Sequence, residues 1–286
     1  MPRLLPMLGR LVVISRPVLW VNTIGPAVMA MWIGGELFNP EIIPLLIWLT
    51  VPFNLWLYGI NDIFDRETDL LNARKGGVQG AVLAVSEIKW VLWGIAITNI
   101  PFLIYFFLNY SLVTNIWIVV YYLFFLNYSA PPLRWKSRPF WDAFSNIDYA
   151  FPLVFVALAL NYEVNWIGAI GLMVWGIAKQ AYDAIQDIYE DRAVGIETTA
   201  TKLDIRGTVI WSTVFWSIAT VMFLIVNVPL GIANGLYVGY LLYNQFKKPT
   251  LDEARRLYPA SIAFPYIVGT VIGFQLVVGL AFGVYP

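Results

Sequence analysis

Apolar stretches of roughly 18–22 residues recur along the whole chain, separated by short polar connections. Each is long enough to cross a hydrocarbon core of about 30 Å as a helix. The pattern predicts nine spans, at 17–38, 43–61, 88–108, 112–128, 143–160, 165–186, 207–226, 228–246 and 260–283. The seventh and eighth are close together, with Asn227 and Pro229 at the turn. The expected fold class is an all-α membrane protein, a bundle of about nine transmembrane helices. Residues 1–286 are read as a single integral-membrane domain.

The charges sort by side. Arg3, Arg10 and Arg16 precede the first expected span, and Arg66, Arg74, Lys75 and Lys89 lie around the connection from the second to the third. Arg134, Lys136 and Arg138 follow the fourth, Arg192, Lys202 and Arg206 the sixth, and Lys247, Lys248, Arg255 and Arg256 the eighth. The alternate connections, near Glu36, Asn109, Glu163 and Asn227, carry no Lys or Arg. Of 18 basic residues, all but Lys179 thus fall on one face. By the positive-inside rule this face, with the N-terminus, is expected in the cytoplasm of a multi-pass cell-membrane protein.

Composition agrees and narrows the chemistry. The chain is 59% apolar and 13% charged, where a soluble domain is about 25% charged; its mean hydropathy is +0.70. The bilayer is an expected partner and nucleic acid is not. The first ten residues do not form a cleavable signal peptide pattern. With no Cys and no His, thiolate and imidazole metal sites and the commonest general base are excluded. Metal or acid-base chemistry falls to carboxylates, which suit Mg²⁺.

Two acidic stretches carry that chemistry. In "NDIFDRETD" (61–69), Asn61, Asp65 and Asp69 are spaced i, i+4, i+8, and Asp62, Asp65 and Asp69 i, i+3, i+7. On a helix each set lies along one stripe, where like charges repel unless a cation compensates. In "DAIQDIYED" (183–191), Asp183 and Asp187 are spaced i, i+4, with Glu190 and Asp191 one turn further. A lone stretch of this kind can be a solvated helix end. Two of them, each at the same end of an even-numbered span, can face a common cavity, and Mg²⁺ bridges carboxylates to phosphate oxygens. Two such ions clamping a diphosphate is the expectation. Arg66, Arg74 and Lys75, with Arg134 and Lys136, are bases suited to phosphate. Lys179, four residues before Asp183, is expected to pair with it. Asn22, Asn54, Asn146 and Asp148 are further polar groups at membrane depth, and "YYLFFLNY" (121–128) is aromatic beyond what an interfacial belt needs.

These motifs resemble those of the UbiA-superfamily prenyltransferases: "NDIFDRETD" their first Asp-rich motif, "DAIQDIYED" their second, "YSAPPLRWK" (128–136) the loop after their fourth helix, and "RPVLWVNT" (16–23) the start of their first. The resemblance covers essentially the whole chain. It implies a nine-helix bundle with Mg²⁺, as two ions, held by Asn61, Asp65 and Asp69 and by Asp183, Asp187 and Asp191, with Asp62 adjoining. It implies a diphosphate held by Arg66, Lys75, Tyr128, Arg134 and Lys136, with Arg16 and Asn22 as polar positions of the first helix. The stretch 58–83 is most similar to the lycopene elongases of C50-carotenoid pathways. That similarity implies dimethylallyl diphosphate (DMAPP) as donor and lycopene as acceptor. Lys179 has no counterpart in the family pattern. Other readings fit parts of the chain: another acceptor (a quinone precursor, a tetrapyrrole or a lipid phosphate), an ion transporter, or a membrane scaffold. A transporter would want its acids at the bilayer midplane, whereas these cluster at span ends.

Overall fold

The computed structural model describes the backbone of residues 4–69 and 82–284, with side chains from residue 6 to 66 and from 82 onward. Every element assigned among them is helical. The chain divides into two compact units, Met1–Leu133 with Pro152–Glu163, and Arg134–Phe151 with Val164–Pro286. The first carries α1 (Leu4–Ile14), α2 (Val21–Ile33), α3 (Ile43–Trp48), α4 (Val51–Asp69), α5 (Val85–Asn109) and α6 (Leu112–Ser129). The second begins with α7 (Trp141–Phe144), and α8 (Phe151–Ala159) returns the chain to the first unit. The rest of the second unit is α9 (Trp166–Ala184), α10 (Ile188–Ala193), α11 (Thr199–Val226), α12 (Val228–Lys247), α13 (Leu251–Ser261) and α14 (Phe264–Phe282).

The polar connections read from the sequence act as helix caps, satisfying amides that have no partner inside the helix. Ser111 accepts from the Thr114 amide at 3.2 Å, Asn165 from Gly168 at 2.8 Å, and Asn227 from Leu230 at 2.9 Å. Asn227, extended at φ −158°, ends α11 and starts α12, which accounts for the short turn between two expected spans.

The protein is an all-α multi-pass membrane protein, but the count of nine spans is not confirmed. Among the described residues six helical stretches are long and apolar enough to cross: Pro40–Arg66, Val85–Asn109, Leu112–Ser129, Trp141–Ala159, Thr199–Val226 and Leu251–Phe282. A seventh is counted if the pair Pro6–Leu19 and Val21–Ile33, bent by 57°, forms one span. The break between the two lies at Trp20; α1 itself ends before Arg16 (φ 51°) and Pro17, where proline disfavours helix in the residue before it. The expected sixth and eighth spans do form helices, α9 and α12, of 19 and 20 residues. They are not among the six, because Lys179, Gln180 and Asp183 in one, and Asn234, Asn244 and Gln245 in the other, dilute their apolar character. The expected seventh span starts at 207, three residues beyond a break in α11 at Asp204 (φ 56°, ψ 178°).

Each unit packs aromatic rings around buried asparagines. In the first, Phe53 stacks on Tyr121 with centroids 4.3 Å apart and meets Trp48 at 4.7 Å. Asn99 Oδ1 accepts from Trp48 Nε1 (3.1 Å) and from the Tyr122 hydroxyl (2.5 Å). The start of the 121–128 stretch is therefore core. In the second, Trp175 stacks on Phe264 at 3.8 Å, and its Nε1 donates to Asn234 Oδ1 at 3.1 Å. Buried polar groups without partners are costly, and these pairings remove the cost. Gly176 lets the turn at 145–150 sit directly on α9: a Cβ there would run into the Asn146 carbonyl.

Candidate active site

The first motif occupies the final turns of α4, one uninterrupted helix from Val51 to Asp69. Asn61, Asp65 and Asp69 therefore share a helical stripe, as their spacing predicts. Asn61 Oδ1 accepts from Ser129 Oγ at 3.1 Å, tying the motif to the end of α6 beside Tyr128. Asp65, Arg66 and Tyr128 are half-buried, as is Asn22 on α2. Lys75 lies outside the described residues, as do Arg74 and the side chain of Asp69.

Asp62 adjoins this stripe and is taken up by a partner from elsewhere in the chain. Its side chain is fully buried, and Oδ1 meets Arg16 Nη2 at 2.5 Å. The Arg16 guanidinium lies 4.4 Å from the centroid of the Tyr58 ring, one turn earlier on α4. Its backbone sits in the left-handed region at the break between α1 and α2, a conformation a non-glycine residue holds only when its surroundings demand it. Arg16 and Asp62, both read as site residues, are thus brought together as a buried ion pair.

The second motif departs from the expected single stripe. Asp183 sits in the last turn of α9, Ile185–Asp187 form a 3₁₀ turn, and Asp191 lies on α10. The tighter 3₁₀ winding rotates α10 out of register with α9. Asp187, at φ −104° and ψ 1°, occupies the sparsely populated bridge region where many active-site residues sit. Asp183, Asp187 and Asp191 are half-buried. The expected pair with Lys179 is present: its ammonium meets Asp183 Oδ2. Ser261 Oγ donates to Oδ1 of the same carboxylate at 2.7 Å. Glu190 is exposed and turned to Arg255 at 2.7 Å.

The basic loop also belongs to the second unit. Arg134 (φ 38°) opens the 3₁₀ turn Trp135–Ser137, and Arg134 and Lys136 are half-buried. Just beyond it, Asp142 is fully buried. Asp142 accepts from the Thr199 amide (2.9 Å) and hydroxyl (2.5 Å), and the Phe140 amide donates to that hydroxyl at 2.9 Å. A carboxylate at the start of α11 is placed well for the helix dipole, and the clasp anchors the basic loop. Sequence reading missed Asp142, Thr199, Ser129 and Ser261, because each acts through a partner far away in the chain.

The donor set suits Mg²⁺. It is all oxygen, from half-buried carboxylates and an amide, with no sulfur or imidazole ligand in the motifs. Among the described residues no three acidic side chains converge on one point. Mg²⁺ needs fewer, since one or two carboxylates suffice when phosphate oxygens and waters complete its shell.

The first unit thus carries Asn61 and Asp65 on an unbroken helix, and the second an acidic motif at a helix break with a clasped basic loop. Each suits a metal-bound anionic substrate at a membrane helix end. The chain belongs to the UbiA prenyltransferase family, which matches it over residues 23–265, and it is a prenyltransferase. A lycopene elongase/hydratase from Corynebacterium glutamicum is 35% identical over 276 residues, 92% of this chain and 94% of that one. A UbiA homologue from Aeropyrum pernix K1 shares the fold with a TM-score of 0.73 at 16% identity, over 91% of this chain and 99% of that one. A UbiA homologue from Archaeoglobus fulgidus bound to DMAPP and Mg²⁺ does so with a TM-score of 0.69 at 16% identity, over 92% and 99%.

Proposed function

We propose that this enzyme transfers a dimethylallyl group from DMAPP to an end of an acyclic carotene, lycopene or a near relative, in a Mg²⁺-dependent reaction at the cytoplasmic face of the membrane. The observation that carries the reading is the 35% identity, along nearly the full length of both chains, to a protein named lycopene elongase/hydratase. The DMAPP and Mg²⁺ held by a structural neighbour support the donor and the metal.

In this reading Asn61, Asp65 and Asp69 hold one metal ion, and Asp183, Asp187 and Asp191 a second. When bound, Mg²⁺ offsets charge that develops on the departing diphosphate. Arg66, Lys75, Arg134 and Lys136 bind that diphosphate, Arg as a planar fork and Lys as a point charge. Tyr128 and Asn22 line its approach, and Arg16, bonded to Asp62, secures the head of the first motif. The allylic C–O bond breaks with its electron pair leaving on the diphosphate, and a dimethylallyl cation remains. Apolar helices keep water from quenching it, and aromatic faces stabilise it through their quadrupole. The terminal double bond of the carotene attacks, and the resulting tertiary cation loses a proton or takes up water.

The test supplies labelled DMAPP, Mg²⁺ and lycopene to the enzyme in liposomes. C45 and C50 products are expected. Their absence, alongside transfer to an aromatic or tetrapyrrole acceptor, would overturn the acceptor assignment and leave the family membership standing.

A further inference from the structure

Lys179 has no part in the proposed transfer reaction. It is nonetheless 8% exposed on α9, with its ammonium on Oδ2 of Asp183. Oδ1 of that carboxylate is held by Ser261, which is itself fully buried on α13. Both oxygens of the acid that opens the second motif are therefore occupied by groups of this chain.

We propose that Lys179 is the resident counter-ion of Asp183, keeping Mg²⁺ from that carboxylate until the diphosphate arrives, so that metal and donor load the second motif together. The inference rests on the reading that both motifs hold Mg²⁺. Its physical basis is direct. A divalent ion approaching a carboxylate already in contact with an ammonium meets a like charge a few ångströms away, in surroundings that screen far less than water. A carboxylate oxygen has two lone-pair sites, so Asp183 is not sterically closed to metal. What bars the ion is charge. The diphosphate supplies the missing negative charge, offsets the repulsion and offers the ammonium a second partner. Lys179 is thus a positioning residue, and it sets the order of assembly.

The test uses the full-length protein in detergent with Mn²⁺ as the probe, counted by electron paramagnetic resonance. Binding is measured alone and with a thio analogue of DMAPP that does not ionise. Lys179→Met is expected to tighten donor-free Mn²⁺ binding by about tenfold or more, in the range by which groups around a metal site tune it. The gain should vanish in Lys179→Met/Asp183→Asn, and Lys179→Arg should behave as wild type. In the wild-type background Asp183→Asn should leave donor-free binding unchanged yet weaken binding in the presence of the analogue. A variant damaged in its fold would lose affinity rather than gain it, so the sign separates positioning from structure. Should Lys179→Met fail to fold, the Asp183→Asn comparison decides by itself. Weaker donor-free binding in Asp183→Asn, or no gain in a folded Lys179→Met, would overturn the inference while leaving the metal reading intact. No Mn²⁺ on the wild type with or without the analogue would overturn that reading, and this inference with it.

Discussion

The two acidic motifs compensate negative charge differently. In the first, the helix is continuous, and Asp62, which adjoins the stripe, is neutralised by an arginine 46 residues away in the chain. Asn61, Asp65 and Asp69 keep the stripe. In the second, the helix breaks after Ala184, and the leading acid itself is paired, by a lysine one turn earlier on the same helix. The contrast shows that an Asp-rich spelling does not say which acid will be paired within the chain, or by what. A carboxylate at membrane depth needs compensation, which Arg16 gives Asp62 and Lys179 gives Asp183.

Three experiments put this contrast at risk. The largest effect is expected at the stripe and at the break. Asp65→Ala and Asp187→Ala should each lower transfer by a factor on the order of 10³, the upper scale for losing one electrostatic stabiliser of developing charge. EDTA should mimic both, while membrane insertion and detergent stability stay as in wild type. Near-normal turnover in either variant would sink the two-cluster model.

A smaller effect, on stability rather than on metal, is expected at the buried pair. Arg16→Met should destabilise the protein by about 3–5 kcal/mol, because it leaves Asp62 buried and uncompensated. Arg16→Met/Asp62→Leu should recover most of that loss, read as thermal unfolding in detergent. If the single variant is as stable as wild type and instead gains Mn²⁺ affinity, Asp62 belongs with Asp183 in kind and the contrast fails.

The mildest perturbation tests the shared face. Single cysteines in this Cys-free chain at Lys247 and Glu163 should label from opposite sides with a membrane-impermeant reagent. Labelling from one side would refute the one-sided reading of the basic residues.

Much of the local geometry of the candidate site was legible because its signals are local. The i, i+4, i+8 spacing of Asn61, Asp65 and Asp69 survives on α4 because an α-helix repeats every 3.6 residues whatever surrounds it. The Lys179–Asp183 pair was legible for the same reason. Long apolar runs marked the membrane helices, but their count of nine is not confirmed: the first is broken at Trp20, and polar residues dilute α9 and α12.

The order of residues was enough for whatever depends on near neighbours: helices, stripes, caps, an oxygen-only donor set and the family to which the motifs belong. Which charged groups meet was left to the packing of the whole chain. Arg16 finds Asp62, Thr199 finds Asp142 across 57 residues, and Ser261 finds Asp183 across 78. Such partners leave no periodic trace, because their meeting depends on how whole helices pack and not on the turn that carries them. The 3₁₀ turn at Ile185–Asp187 belongs with them: its residues are ordinary helix formers, and nothing in their order marks the place where α9 stops.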